Sequence, residues 1–212
     1  MNARIVDARP EHAPFIAWVT LTAFRSHLER GFWDFILDAP GDQMLRFLEV
    51  LATTDREHWC HHSIFVVAEV DGRPVSALSG YFEEEHGGLR LRDAMAEANE
   101  KTGRTQDPAA LARAMTVLQV LPEHLPNAWI VENVATLPEF RRQGLVDRLM
   151  ERMLARGRER GATTADISVF IGNDPAQRAY EKHGFATVAE KRHPEFETVY
   201  RTAGTRTLRR AI

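Results

Sequence analysis

Two stretches of the chain carry residue types suited to proton transfer and anion binding. The first, ENVATLPEFRRQGLVDRLM from Glu132 to Met150, is an apolar strand pattern that breaks at Pro138 and gives way to a helical pattern. Glu132 stands in the middle of that strand. Buried without a partner its charge is costly, and burial raises its pKa toward the range of a general base. A glutamate satisfied by a neighbour, or exposed at an edge, accounts equally for the residue. Arg141, Arg142, Gln143, Gly144, Leu145 and Val146 form the junction with the helix. The glycine permits a tight turn, the first helical amides lack internal acceptors, and the helix dipole favours an anion there, so a phosphate or pyrophosphate suits the place. Arg141 and Arg142 add full charges, although a plain helix cap explains the same junction. Neither GxxxxGK[ST] nor GxGxxG occurs in the chain, which sets aside two familiar phosphate loops.

The second stretch runs from Asn173 to Phe185. Asn173 or Asp174 caps a helix with Pro175 at its first position, Gly184 closes it, and Ala176, Ala179 and the phenol of Tyr180 lie within it. Elsewhere, Glu57-His58-Trp59-Cys60-His61-His62 holds zinc-type ligands, but no second ligand cluster follows at finger-like spacing. His61 and His62 are read instead as a polar rim or as plain surface. The run Glu83-Glu84-Glu85 is read as solvated, with attraction of a cationic amine as the functional alternative.

Taken together, Arg141-x-x-Gly144-x-Val146 after Ala135-Thr136-Leu137-Pro138, and Asn173-x5-Ala179-Tyr180-Glu181-Lys182-His183-Gly184-Phe185 downstream, resemble the two signatures of the GNAT superfamily of N-acetyltransferases. The resemblance covers about residues 130–186, and Val146 stands where that family usually has Gly or Ala. It implies an α/β (α+β) fold with a mixed, mostly antiparallel sheet flanked by helices, splayed between the central strand and Thr163 to Val169. It implies acetyl-CoA as co-substrate, with no metal. The amides of Gln143 to Val146 then hold the pyrophosphate, the edge of Val134, Ala135 and Thr136 pairs with pantetheine, and Asn173, Ala176 and Ala179 flank the pantetheine arm. Tyr180 protonates the departing thiolate, and an unidentified primary amine attacks directly in a ternary complex. Glu132, from its place in the apolar strand, is the first candidate to deprotonate that amine, directly or through water. An acyl-CoA sensor without turnover is the alternative, and a metal-dependent hydrolase using Cys60 and its neighbouring histidines is a second.

The elements that must position these residues follow from pattern. With 212 residues and 44% hydrophobic content the chain can bury one full core, so a single domain over residues 1–212 is expected. Lys plus Arg number 27 against 30 acidic residues, a net charge of −3 that argues against a nucleic-acid partner. The single Cys60 suits a reducing compartment and hence the cytoplasm, and neither a signal-like start nor a membrane-length apolar run of about 20 residues is found. A strand at Arg4 to Val6 and helices at Ala13 to Ala23 and Asp42 to Leu51 precede a hairpin of Ser63 to Val70 and Pro74 to Phe82, turning at Asp71-Gly72. Phe32, Trp33 and Phe35 are candidates to line the acceptor pocket.

Residues 83–126 read as an inserted helical pair, Leu91 to Lys101 and Pro108 to Leu121, serving as a lid, a homodimer contact or decoration. The central strand, Asn127 to Leu137, is expected to present Ile130, Glu132, Val134 and Thr136 on one face. A helix from Gly144 to Arg160 and a parallel strand from Thr163 to Ile171 follow. The tail is expected to supply an antiparallel pair around Phe185 to Glu190 and Phe196 to Tyr200. Arg206 to Arg210 is read as a solvated or coenzyme-facing edge.

Overall fold

The computed structural model describes residues 2–212. Strand β1 (Ala3–Asp7) leads through helix α1 (Ala13–Arg25), the short α2 (Phe32–Leu37) and α3 (Gly41–Leu51) to a hairpin of β2 (Phe65–Val70) and β3 (Arg73–Tyr81). Asp71 and Gly72 both take positive φ, the backbone a two-residue hairpin turn requires. After α4 (Glu83–His86), α5 (Gly88–Thr102) and α6 (Pro108–Ala114) come β4 (Trp129–Thr136), α7 (Leu145–Glu159), β5 (Thr164–Phe170) and α8 (Asp174–Lys182). The chain ends with β6 (Ala186–Arg192), α9 (Pro194–Tyr200) and β7 (Gly204–Ala211). The sheet order is β1-β2-β3-β4-β5-β7-β6, and the β4–β5 pairing is parallel while the other neighbours are antiparallel.

Each face of the sheet buries its own apolar residues. On one face α7 lays Leu145, Leu149, Met150, Met153 and Leu154 against Val66, Leu78, Val131, Ala165 and Ile167. Polar ties fix the helix there, since Arg148 Nη2 donates to Ala3 O (2.8 Å) and Arg156 Nη2 to Ser63 O (3.0 Å). The other face carries α1, whose Ala13, Ile16 and Val19 meet Phe65, Val67, Tyr81 and Ile130. Farther out on that side a second core joins α2 and α3 to the insertion through Leu91, Ala94, Ala98 and Ala114. Arg104 Nη2 donates to Leu37 O (2.7 Å), and Tyr200 OH to Ala114 O (2.9 Å). The insertion is therefore a wall of that core.

Three expectations require correction. The helix expected to reach Leu121 stops at Ala114 and continues as a 3-10 turn, Met115–Val120. Thr116 there bonds back to Arg113 O (2.9 Å), β-branched residues crowd the turn, and Pro122 disfavours helical backbone at Leu121. Phe196 to Tyr200 is helix, with Pro194 in its first turn and Glu195 and Glu197 on the favourable end of the dipole. The pairing partner of β6 is instead β7, so the basic end is an interior strand: Arg206 Nε reaches Glu190 (2.7 Å), Arg209 Nε reaches Asp166 (2.6 Å) and Arg210 reaches His183 O.

Candidate active site

The site begins where two strands part. β4 and β5 pair at Trp129 with Ala165, Ile130 with Asp166 and Val131 with Ile167, and no further. The next rung sets Glu132 against Ser168, unpaired. A bulge in β4 is responsible: Asn133 has φ 55, and the register against β3 shifts between Ala77 and Ser79. Asparagine tolerates this left-handed backbone better than branched residues, and its Nδ2 secures the turn by donating to Ser79 Oγ (3.0 Å) and Trp59 O (3.3 Å). The bulge also breaks the expected alternation. Val134 packs on the α7 face, whereas Glu132 stays with Ile130 and Tyr81 on the α1 face. Beyond Val131 the β5-facing edge of β4 makes no ladder with β5, which leaves main-chain groups free for an extended ligand.

At the fork, Tyr81 OH donates to Glu132 Oε2 at 3.0 Å. Burial drives the Glu132 carboxyl up, the His124 charge and the Tyr81 hydrogen bond pull it partly back, and it settles at about 7. Its side chain is half-buried, deep enough to lose solvation yet still reachable. Burial, followed by the Glu132 charge, pushes the Tyr81 phenol well up, so it remains a donor. Two rungs below, on the same face, fully buried Asp166 accepts from Arg209 Nε (2.6 Å), Arg209 Nη2 (2.7 Å) and His124 Nδ1 (2.9 Å). Burial raises Asp166, but those hydrogen bonds outweigh it and hold the carboxyl below its ordinary range. Among the described residues, Asn133 Oδ1 and Ser168 Oγ are buried without a hydrogen-bond partner. Each leaves about 1–3 kcal/mol of desolvation uncompensated.

The α7 end presents helix-start amides that no acceptor within the helix satisfies. Gly144 caps the helix with φ 73, left-handed backbone that glycine adopts freely, and Arg142 before it has φ 59. The amide of Arg148 makes the first bond of the turn, to Gly144 O (3.3 Å), so the amides of Leu145, Val146 and Asp147 have no acceptor within the helix. Leu145 is anchored in the core, Val146 is half-buried, and Arg141, Arg142 and Gln143 are exposed. Arg141 Nε caps Thr136 O at 3.2 Å, and Gln143 Nε2 donates to Glu139 O at 3.0 Å. Asp147 would repel an anion at this end. Lys182 (2.5 Å) neutralises it, and with His183, whose Nε2 lies 2.9 Å from the other carboxylate oxygen, ties the end of α8 to the start of α7.

In α8, Asn173 is the cap: its Oδ1 accepts from the Ala176 amide (3.3 Å) and its Nδ2 donates to Ser26 Oγ (2.6 Å). Ala176 and Ala179 pack with Val134, Leu145 and buried Tyr180 in one cluster, and burial pushes the Tyr180 phenol above its ordinary range. Val134 of β4, Leu145 of α7 and Ala176, Ala179 and Tyr180 of α8 thus meet on the α7 face, while Ala135 and Glu132 lie on the α1 face. Beside Ser26, a cavity of about 520 Å³ opens between His27, Leu28, Glu29 and Arg30 on one side and Val199, Tyr200 and Arg201 on the other. Phe35 lines it too, whereas Phe32 and Trp33 are core residues. Sequence reasoning did not single out His124, Asp166, Asn133 or Ser168.

The histidine run is structural. His58 is fully buried with both ring nitrogens engaged, Nε2 donating to Leu51 O (3.0 Å) and Nδ1 accepting from the Cys60 amide (3.1 Å). His61, expected on the surface, is buried because its Nδ1 accepts from the Ser63 amide (3.2 Å) and its ring lies 4.2 Å from that of His62. Cys60 is buried and its thiol is pushed well above its ordinary range, chiefly by burial. Among the described residues no three His, Cys, Asp or Glu side chains are grouped to hold a metal ion.

Burial lowers His58 and His61 to about 4 from an ordinary 6.5. The unfolded chain takes up these protons near 6.5 and the folded chain only near 4, so their contribution to stability is complete above 6.5 and is lost as pH falls through that window. For His58 the upper bound is about 3 kcal/mol. Urea midpoints measured at pH 7 and pH 4.5 should fall steeply for the wild type and less steeply for His58→Gln. Equal slopes would mean that His58 does not carry the effect.

The sequence matches the profile of the Acetyltransferase (GNAT) family over residues 33–185. Among solved structures, one described as an acetyltransferase is 18% identical with a TM-score of 0.73, covering 99% of each chain. An N-acetyltransferase from Staphylococcus aureus Mu50 is 19% identical with a TM-score of 0.70, covering 98% of this chain and all (100%) of its own. PaiA N-acetyltransferase from Thermoplasma acidophilum, solved in complex with coenzyme A, is 8% identical with a TM-score of 0.54, covering 100% of both chains. At such identities the likeness is one of fold. No curated protein matches the sequence.

Proposed function

The chain belongs to the acetyltransferase (GNAT) family, and from that premise we propose that it moves an acetyl group from acetyl-CoA to a primary amine by direct attack in a ternary complex. The observation that carries this reading is Glu132, with its carboxyl at about 7, on the first rung where β4 and β5 separate. An alkyl amine is an ammonium ion at neutral pH and must lose a proton before it can attack. A carboxylate with an affinity near 7 takes that proton and still releases it within a turnover.

The remaining roles follow from chemistry. The free amides of Leu145 and Val146, with Arg141 and Arg142 beside them, suit the pyrophosphate of the coenzyme. The edge of Val134 to Thr136, which makes no ladder with β5, suits pantetheine by strand addition, and a strand amide polarises the thioester carbonyl. Ala176 and Ala179 give that arm an apolar flank, and Asn173 fixes the start of α8 beside it. The amine nitrogen bonds to the carbonyl carbon, the carbon–sulfur bond breaks, Tyr180 gives its phenol proton to the thiolate, and the proton shed by the nitrogen as it becomes an amide restores the phenol. The body of the acceptor is read into the cavity beside Ser26.

Isothermal titration with acetyl-CoA, followed by free-thiol release across a panel of amines, tests the reading. Binding together with amine-dependent thiol release is the expected result. Binding without turnover on any amine would favour an acyl-CoA sensor, and no binding would remove both.

A further inference from the structure

His124 lies in the segment that joins the insertion to β4, and its surroundings give it one orientation. Its Nδ1 sits 2.9 Å from Asp166 Oδ2, and Asp166 is fully buried and held by Arg209. A carboxylate only accepts, so the ring hydrogen is on Nδ1 and the neutral imidazole keeps a bare Nε2. The His124 side chain is 15% exposed, so this nitrogen has a route to water. Asp166 is paired across from Ile130, and Glu132 lies two residues farther along the same face, roughly 7 Å along the strand and within reach of an imidazole standing on Asp166. Consistent with that placement, a proton on the His124 ring acts on Glu132 more strongly than any other neighbouring charge.

We infer that His124, oriented by Asp166, is a second proton-transfer group of this site, receiving on Nε2 the proton that Glu132 takes from the amine and passing it to solvent. The inference rests on the acetyl-transfer reading. The proton moves from the amine nitrogen to the Glu132 carboxylate, then to His124 Nε2, then to water, and no electrons change hands. Asp166 keeps its charge throughout and stabilises the transient imidazolium, while Arg209 limits how firmly the proton is retained. Beyond Asp166, Arg209 and Glu132, the neighbouring Glu123 pairs with Lys191 (2.7 Å) and links the His124 segment to β6. The insertion on this view does more than wall a core, because the segment that leaves it for β4 delivers a working residue to the fork.

His124→Gln keeps the bulk and a hydrogen bond to Asp166 but cannot carry the proton onward. It is expected to lower kcat/KM for the amine roughly 10²-fold and to alter the pH profile, with acetyl-CoA affinity and Tm unchanged. In His124→Ala, added imidazole is expected to restore part of the rate. A rate within twofold of wild type, or a loss that imidazole does not relieve, overturns the relay. Nitrogen NMR of the histidine rings decides the geometry without turnover: an unprotonated Nε2 and a titration that moves in Glu132→Gln are expected. A hydrogen on Nε2, or a titration indifferent to Glu132, overturns the inference even in a protein that proves to be only a sensor. Failure of every amine with that NMR pattern intact would instead count against the acetyl-transfer reading.

Discussion

Glu132→Gln should lower kcat/KM for the amine roughly 10²- to 10³-fold and remove the acidic limb of the pH profile near pH 7. The amide has the shape of the carboxylate and can hold the Tyr81 hydroxyl, but it cannot take a proton. What remains is attack by the small fraction of amine already neutral, so the residual rate should climb with pH toward the amine's own pKa. The variant has an internal control in its stability. The folded-state carboxyl titrates at about 7 against an ordinary 4.5, raised by burial. The folded chain therefore keeps this proton through that window, and the group's contribution is complete below about 4.5 and lost as pH rises through 7. Above pH 7 the ionised carboxylate costs up to about 3 kcal/mol, a cost the amide avoids. Glu132→Gln should accordingly melt higher than wild type at pH 8 and lose most of that advantage near pH 4. A variant that is slow and less stable at pH 8 would point to collapse of the fork rather than loss of a base.

How much of this site could be read in the sequence depended on how local each signal was. The Gly144 cap and the Asn173-Asp174-Pro175 start of α8 are set by backbone chemistry within a turn, and both elements begin within a residue of their expected places. Glu132 was legible because a carboxylate inside an apolar strand is conspicuous. The bulge that aims it was not, since one asparagine with φ 55 leaves no periodic trace and the alternation through Val134 looked unbroken. Asp166 and His124 failed for a different reason. Asp166 falls on the strand face opposite Ala165 and Ile167, which alternation alone labels as outward, and only the insertion of β7 beside β5 brings Arg209 across to it. That pairing joins residues 43 apart in sequence and depends on strand order. The tail is the opposite case, because Pro194, two early glutamates and the Phe196–Tyr200 spacing already specified a helix; the rings of that pair stack at 4.3 Å.

Tyr180→Phe separates proton donation to sulfur from coenzyme binding. The ring is buried against the α7 core, so phenylalanine should preserve that packing at a cost within about 1 kcal/mol. The hydroxyl alone is lost. Burial holds the phenol above its ordinary range, so it is protonated at every working pH and can act only as a donor. Collapse of the tetrahedral intermediate expels a thiolate, and an alkyl thiolate leaving unprotonated into an apolar slot is unfavourable. Turnover should fall roughly 10²-fold while acetyl-CoA affinity changes less than twofold. The defect should also depend on the leaving group: an acetyl thioester of a more acidic thiol expels a weaker base, needs less help, and should narrow the gap between variant and wild type. A gap independent of thiol acidity would assign Tyr180 to packing of the pantetheine arm, and an unchanged rate with acetyl-CoA itself would remove it from the acid role.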